Sequence, residues 1–299
     1  MPVLEGVIAA LLTPVDQAGR VDHGALRQLV GRLTSRGVTG ISPLGSTGEG
    51  YSLDLEQRLA VVDTVAATVP PGMPVLPGMF APGHGQAVDE IAAYAAHGAT
   101  AALAAPPAYY PLTPAEQRAY YARLADATAL PLVIYNIPSY TKIAIDPAVA
   151  AGLAAHPQVA GLKDSGKDFG YAAQLLDAVT AAGPAAAGFS VLTGSDSMLV
   201  EYLLSGARGT ICANANLLPE LVRAVYDAVL AGKLDEALRL QARIRLVQSA
   251  FPAAAVTAAL KAALASAGVG ERWLVPPRQA FSDAEADRLV ARLTALDVL

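Results

Sequence analysis

Eight short apolar runs alternate with longer stretches of helical periodicity, and this alternation limits the folds open to the chain more than any other feature. The runs are Gly6 to Leu12, Gly40 to Pro43, Pro74 to Gly78, Ala101 to Ala104, Pro131 to Asn136, Val159 to Lys163, Phe189 to Thr193 and Gly209 to Cys212. Runs this short that are apolar throughout suit strands buried on both faces, as in a parallel sheet. Strands that alternate with helices must lie parallel, and eight such units close into a (β/α)8 TIM barrel of the α/β class.

The intervening stretches carry their own start signals. A helix is expected from about Asp22 to Ser35, and another runs up to His97. Others open at Asp54, Thr113-Pro114, Asp146-Pro147, Phe169, Asp196 and Leu218. The Thr-Pro and Asp-Pro pairs place an N-cap beside a first-turn proline, which fixes those starts.

After Ala231 the alternation stops. From Leu234 to Leu299 the pattern is helical and rich in Ala, Leu and Arg, broken by a turn near Val275-Pro276-Pro277. The expected organisation is a barrel with the active site over residues 1–231 and a C-terminal helical appendage over 232–299. That tail packs on the barrel's side or builds a subunit contact, because the link at Gly232-Lys233 is too short to free an independent domain.

Several function classes drop out. A net charge of -5, with no basic block, offers a phosphate backbone no footprint, so no nucleic acid partner is expected. The single cysteine, Cys212, cannot form an internal disulfide, and the start Met1-Pro2-Val3-Leu4-Glu5-Gly6 lacks the pattern of a signal peptide, which together predict a cytoplasmic protein. The Ala-rich stretch Ala253 to Gly268 contains Lys261 and is too short to span a membrane, so it reads as a packed helix. His23, His84, His97 and His156 show no metal-ligand spacing, so neither a metal nor another cofactor is expected.

The candidate residues gather where the strands end. Lys163 closes an apolar run just before the turn Asp164-Ser165-Gly166, and partial loss of hydration there favours the free amine, which attacks carbonyl carbon. Taken alone, a strand-end lysine is better read as a stem packed on the rim with its head in solvent. Its company changes that reading. Gly45-Ser46-Thr47-Gly48-Glu49-Gly50 follows the second run, either as a plain glycine turn or as a concavity of amides and hydroxyls for a carboxylate or phosphate. Tyr135 ends the fifth run, and Tyr109 in Pro107-Ala108-Tyr109-Tyr110 follows the fourth. Each tyrosine alone is an ordinary core residue, but Thr47 and Tyr109 are available as proton-relay partners for Tyr135. All of these fall at the carboxyl face, where barrel enzymes do their chemistry. Gly194-Ser195-Asp196-Ser197, after the seventh run, keeps a phosphate-ligand reading open, while Cys212 reads as a small buried hydrophobe.

The ordered motifs Gly45-Ser46-Thr47-Gly48-Glu49, Tyr135-Asn136-Ile137-Pro138 and Gly161-Leu162-Lys163-Asp164 resemble the dihydrodipicolinate synthase and N-acetylneuraminate lyase family of Schiff-base barrels. The similarity continues through Gly194-Ser195-Asp196 and Gly209-Thr210-Ile211-Cys212 to Asn216. The resemblance implies that Lys163 forms an imine with pyruvate or another 2-oxo acid and that Tyr135 shuttles protons. It implies that Ser46 and Thr47 hold the carboxylate and link Tyr135 to Tyr109, which reaches into a neighbouring subunit's site in a homodimer or homotetramer. Ile211 offers its carbonyl, and Gly194 lines the pocket.

One departure bears on the substrate. Where the lysine-pathway synthases carry an arginine that holds the second substrate's carboxylate, this chain has Tyr140, and a phenol supplies no bidentate cation. Lys142, where many relatives have glycine, reads as exposed on its loop.

The expected function is thus a metal-independent lyase or aldolase acting on a pyruvate-like 2-oxo acid together with an aldehyde or sugar-acid partner. The other readings are a 4-hydroxy-tetrahydrodipicolinate synthase, a phosphosugar-binding barrel enzyme and a non-catalytic barrel that senses 2-oxo acids.

Overall fold

In the computed structural model, which describes residues 3–299, the strands are β1 (Gly6–Ala10), β2 (Gly40–Ser42), β3 (Gly78–Met79), β4 (Ala102–Ala104), β5 (Leu132–Asn136), β6 (Val159–Asp164), β7 (Ser190–Thr193) and β8 (Gly209–Cys212). Met1 and Pro2 of the N-terminal stretch read above lie outside the described residues. The strands run parallel in the order β2-β1-β8-β7-β6-β5-β4-β3. A parallel bridge between Ile41 and Val75 joins the two ends of that order, so the sheet closes as the expected barrel.

Every strand is buried along its whole length, which explains runs that are apolar on both faces. Inward-facing Ile8, Leu103, Val133, Leu192 and Ile211 fill the barrel. Outward-facing Val7, Ile41, Leu132 and Leu162 meet the helices.

The helices start as the capping signals predict. For α1 (His23–Thr34) the Asp22 carboxylate accepts from the amides of Gly24 and Ala25, and Leu26, Leu29, Val30 and Leu33 form the buried face. Asp54 caps α2 (Leu55–Ala66), and α3 (His84–Ala96) follows. Thr113 and Glu116 form a capping box ahead of α4 (Pro114–Ala127). A short α5 (Pro138–Thr141) precedes α6 (Pro147–Leu153), which Asp146 caps, and Asp168 caps α7 (Phe169–Ala181). The helix expected from Asp196 begins as a 3-10 turn, Asp196–Met198, before α8 (Leu199–Leu204); α9 (Pro219–Leu230) completes the barrel.

The tail is α10 (Leu234–Gln248), α11 (Val256–Ser266) and α12 (Asp283–Ala295). It has one break more than its sequence suggests. Pro252 lies between α10 and α11, which turn by 86° relative to each other. Residues Thr257 to Leu264 of α11 are all buried, the alanines letting neighbours approach from every side. The start of this helix reaches the barrel mouth, so the tail does more than lie on the barrel's side. Among the described residues, no single helix is long and apolar enough to cross a membrane.

Candidate active site

The direction in which Lys163 points is set by one irregularity in β6. Leu132 pairs with Val159, but Val133 pairs with Gly161, leaving Ala160 as an extra residue. Side chains alternate along a strand, so an unbroken ladder sets Lys163 beside outward-facing Asn136; the bulge sets it beside Tyr135, which belongs to the barrel interior. The amine is thereby turned into the mouth. Close contact at this level requires a glycine, because a Cβ on Gly161 lies 2.2 Å from the Ser190 carbonyl oxygen.

Lys163 is 4% exposed, and its Nζ stands 4.4 Å from the centre of the Tyr135 ring. Among the described residues, every ion pair lies elsewhere, so no carboxylate holds this amine as a salt-bridged ammonium. Tyr135 is also buried, and its hydroxyl shares a 3.0 Å hydrogen bond with Ser46 Oγ. The hydroxyl that meets the phenol is therefore Ser46's and not Thr47's. The amides of Ser46 and Thr47 donate to no acceptor among the described residues, and both residues border the chamber that Lys163 enters.

The next residue holds the end of β6 still. Asp164 is fully buried, and its carboxylate accepts from Asn136 Nδ2 at 2.7 Å, the Gly166 amide at 2.9 Å and the Tyr202 hydroxyl at 2.5 Å. Burial, reinforced by the Asp164 charge, pushes the Tyr202 phenol above its ordinary range, so it stays a donor. Sequence reasoning gave Asp164 no part, and no pattern ties it to a tyrosine 38 positions on.

Lys163, Tyr135, Ser46, Thr47, Gly194, Ile211 and Tyr140 border one chamber of about 170 Å³. Tyr109 stands apart. It is 87% exposed, edge-on to Tyr110 at 5.1 Å between ring centres, and within one chain it does not reach the site. Tyr140 is exposed on α5, and Lys142 Nζ donates to the Ser139 carbonyl at 2.8 Å at the surface of the same loop.

The turn that kept a phosphate reading open is occupied with itself. The Gly194 amide donates to the Asp164 carbonyl at 2.6 Å, the Ser195 amide donates to Thr193 Oγ1 at 2.9 Å, and the hydroxyls of Ser195 and Ser197 share a bond of 3.1 Å. Asp196 is buried there, accepting from the Asn214 amide and from Gln248, and burial raises its carboxyl above the ordinary range. A carboxylate among spent amides is a poor cradle for phosphate. Burial pushes the neighbouring Cys212 thiol up as well, in keeping with a small core residue.

Three charged residues beside the site, Glu49, Lys261 and Arg278, were given no part in it by the sequence reading. Glu49, in left-handed conformation at φ 56°, buries its carboxylate 2.5 Å from Lys261 Nζ on α11. The Val275 amide donates to Glu49 Oε1 at 3.1 Å, and Arg278 Nη1 lies 3.6 Å from the same oxygen. Arg278 borders both the Lys163 chamber and an adjoining one of about 510 Å³, which also share Ser46 and Tyr140. A lone charged residue in an otherwise small, glycine-rich turn was the one available signal, and it named no partner.

A model of the dihydrodipicolinate synthetase family matches residues 3–296. The 4-hydroxy-tetrahydrodipicolinate synthase of Xanthomonas axonopodis pv. citri (strain 306) is 32% identical over 298 residues, covering 99% of this chain and 97% of that protein. The crystal structure of dihydrodipicolinate synthase from Thermotoga maritima matches with a TM-score of 0.94 over 100% of both chains; at 24% identity this speaks for the fold. The chloride-inhibited dihydrodipicolinate synthase from Acinetobacter baumannii, solved in complex with pyruvate, matches with a TM-score of 0.89 at 26% identity over 99% of each chain. On these matches the chain is a lyase that belongs to the dihydrodipicolinate synthetase family.

Proposed function

We propose that this protein is a metal-independent, aldolase-type lyase that captures pyruvate or a related 2-oxo acid as an imine on Lys163. The observation that carries this reading is a buried amine, free of any carboxylate partner, beside a phenol whose hydroxyl is bonded to Ser46. Lys163 Nζ adds to the keto carbon and water leaves, giving the imine. Loss of a proton from the adjacent carbon gives an enamine, which adds to an aldehyde carbon; hydrolysis releases product and restores the amine. Run backwards, the same steps break the bond. Tyr135 carries the protons, with Ser46 and Thr47 at the substrate carboxylate and Ile211 and Gly194 lining the pocket.

The exposed Tyr109 and Tyr110 rings support a relay completed by a second copy in a homodimer or homotetramer. The reading treats residues 1–231 as the barrel and 232–299 as an appendage that helps wall its mouth, in a protein of the cytoplasm. The partner substrate is an aldehyde or, in the cleavage direction, a sugar acid or similar 2-oxo acid. Incubation with pyruvate and borohydride, followed by peptide mass spectrometry, tests the reading. Reduction should fix the three-carbon unit to Lys163, and an unmodified Lys163 rejects the proposal.

A further inference from the structure

We propose that Thr257, at the start of α11, is a further catalytic residue: its hydroxyl donates to the oxygen of the acceptor aldehyde, where negative charge gathers as the carbon-carbon bond forms. The proposal rests on the Schiff-base reading and adds the group that receives this oxygen.

The chemistry fixes what must be received. When the enamine carbon bonds to the aldehyde carbon, the second electron pair of the carbonyl moves onto its oxygen. A proton from Tyr135 then leaves a hydroxyl on the carbon two beyond the keto carbon, and in cleavage that hydroxyl gives the proton back as the bond breaks. A donor held at this oxygen stabilises the step in both directions.

Position is the first argument. Thr257 and Lys163 border the same chamber of about 170 Å³. Ala253, Ala254 and Val256 border it too, so Thr257 is the one polar side chain that this segment brings to the chamber. In a space that small, a short 2-oxo acid fixed to Lys163 comes against the α11 wall.

The state of the hydroxyl is the second. Thr257 is 8% exposed, and its Oγ1 bonds to no protein atom among the described residues. Other threonines in this chain return the hydroxyl to a carbonyl one helical turn back, as Thr64 does to Ala60 at 2.8 Å, Thr128 to Leu124 at 2.9 Å and Thr294 to Val290 at 2.9 Å. Behind Thr257 lies the 3-10 turn Ala253–Ala255 in place of a helical turn, and no such bond forms. Burying an unpaired hydroxyl is unfavourable, so one that borders a chamber is a group fit to meet a ligand there. The other hydroxyls at this chamber are differently placed. Those of Tyr135 and Ser46 are bonded to each other, and Ser139 and Tyr140 are exposed.

Local charge is the third. Ala255, at the N-cap of α11, supplies no side-chain acceptor, and the first turn holds no acid. Asp22, Asp54 and Thr113 do supply acceptors at α1, α2 and α4. The first amides of a helix have no partners within it, so the start of this 11-residue helix keeps its partial positive charge, which favours an oxygen that is becoming negative.

The test compares borohydride trapping at Lys163 of three 2-oxo acids: pyruvate, 2-oxopentanoate and the two enantiomers of 4-hydroxy-2-oxopentanoate, which differ from 2-oxopentanoate by the one hydroxyl. A three-carbon adduct formed from the hydroxy acid counts as capture, since cleavage follows it. Wild-type protein should reach half-saturation with the better-bound enantiomer at roughly threefold to tenfold lower concentration than with 2-oxopentanoate, the worth of one neutral hydrogen bond. Thr257→Val, which keeps the shape and removes the hydroxyl, should erase that ratio, and Thr257→Ser should keep most of it. A general folding defect weakens capture of all the acids alike and leaves the ratio intact. Equal half-saturation in the wild type, exclusion of both longer acids, a ratio unchanged in Thr257→Val, or one lost as fully in Thr257→Ser overturns the proposal. Failure of pyruvate itself to label Lys163 in the wild type instead overturns the Schiff-base reading, so the two failures are distinguishable.

Discussion

Replacing Lys261 by methionine should destabilise the protein by about 3–5 kcal/mol, the cost of leaving one member of a buried ion pair behind. Its Nζ lies 2.5 Å from a Glu49 carboxylate with no exposed surface. At an effective dielectric constant of about 20, that separation gives a gross attraction of roughly 7 kcal/mol. Removing two ions from water costs several kcal/mol each, so the pair itself contributes little net. The orphaned Glu49 is the source of the loss, since only the Val275 amide and the more distant Arg278 remain to it. With an unfolding entropy of about 2.1 cal/mol/K per residue, a chain of this length should lose roughly 5–8 °C in Tm. Glu49→Gln in the same background should recover about 2–3 kcal/mol, which a double-mutant cycle by urea denaturation measures. Burial also depresses the Lys261 ammonium below its ordinary value of 10.5, with Glu49 opposing. In the window just below 10.5 the unfolded chain therefore holds the extra proton, and the stability contributed by this site rises with pH there. Lys261→Met should lack that slope. A single-mutant loss under about 1 kcal/mol with an additive cycle would refute the argument, because a buried unpaired carboxylate cannot be that cheap.

Tyr135→Phe keeps the ring under Lys163 but removes the hydroxyl bonded to Ser46, so kcat should fall by roughly 10²–10⁴-fold with less change in KM. Steady-state kinetics with an active substrate pair check this, and an unaltered kcat removes Tyr135 from the proton path. Gly161→Ala should cost about 3 kcal/mol or more, because its Cβ falls 2.2 Å from a backbone oxygen that β7 holds in place. Gly31→Ala, in the middle of α1 with nothing within 4 Å, should instead gain about 0.5–1 kcal/mol, and chemical denaturation of both variants reads the contrast.

The barrel was legible in the sequence because its causes are local. Buried strands need apolar runs, and helices on a parallel sheet need starts, which Asp22, Asp54, Thr113-Pro114 and Asp146-Pro147 supply. Contacts between distant parts were not legible. Nothing along the chain links Glu49 to Lys261 and Val275, with a sequence separation of 226 in the latter case, or shows that α11 reaches the barrel mouth. The same holds for the partners of Asp164, since Asn136 and Tyr202 come from separate elements and a carboxylate at a strand end looks, in sequence, like any solvated turn residue.

The orientation of Lys163 shows why motif and geometry are separate questions. In a strand buried on one face, polar residues on the other mark the phase, and the inward side can be counted off. Val159-Ala160-Gly161-Leu162 is buried on both faces and carries no such mark, so the sequence is equally compatible with a lysine facing the helices and one facing the barrel. The extra residue at Ala160 decides between them by half a period. Once that half-period is set, Lys163 shares a level with Tyr135, Asp164 on the opposite side bonds to Asn136, and Gly161 admits the Ser190 carbonyl. Each depends on the same register. A bulge that served only the fit of β6 to β5 would leave the lysine's direction incidental. Here it puts the basic side chain inside the barrel and the acidic one outside, so the carboxylate that steadies the strand end is kept from pairing with the amine.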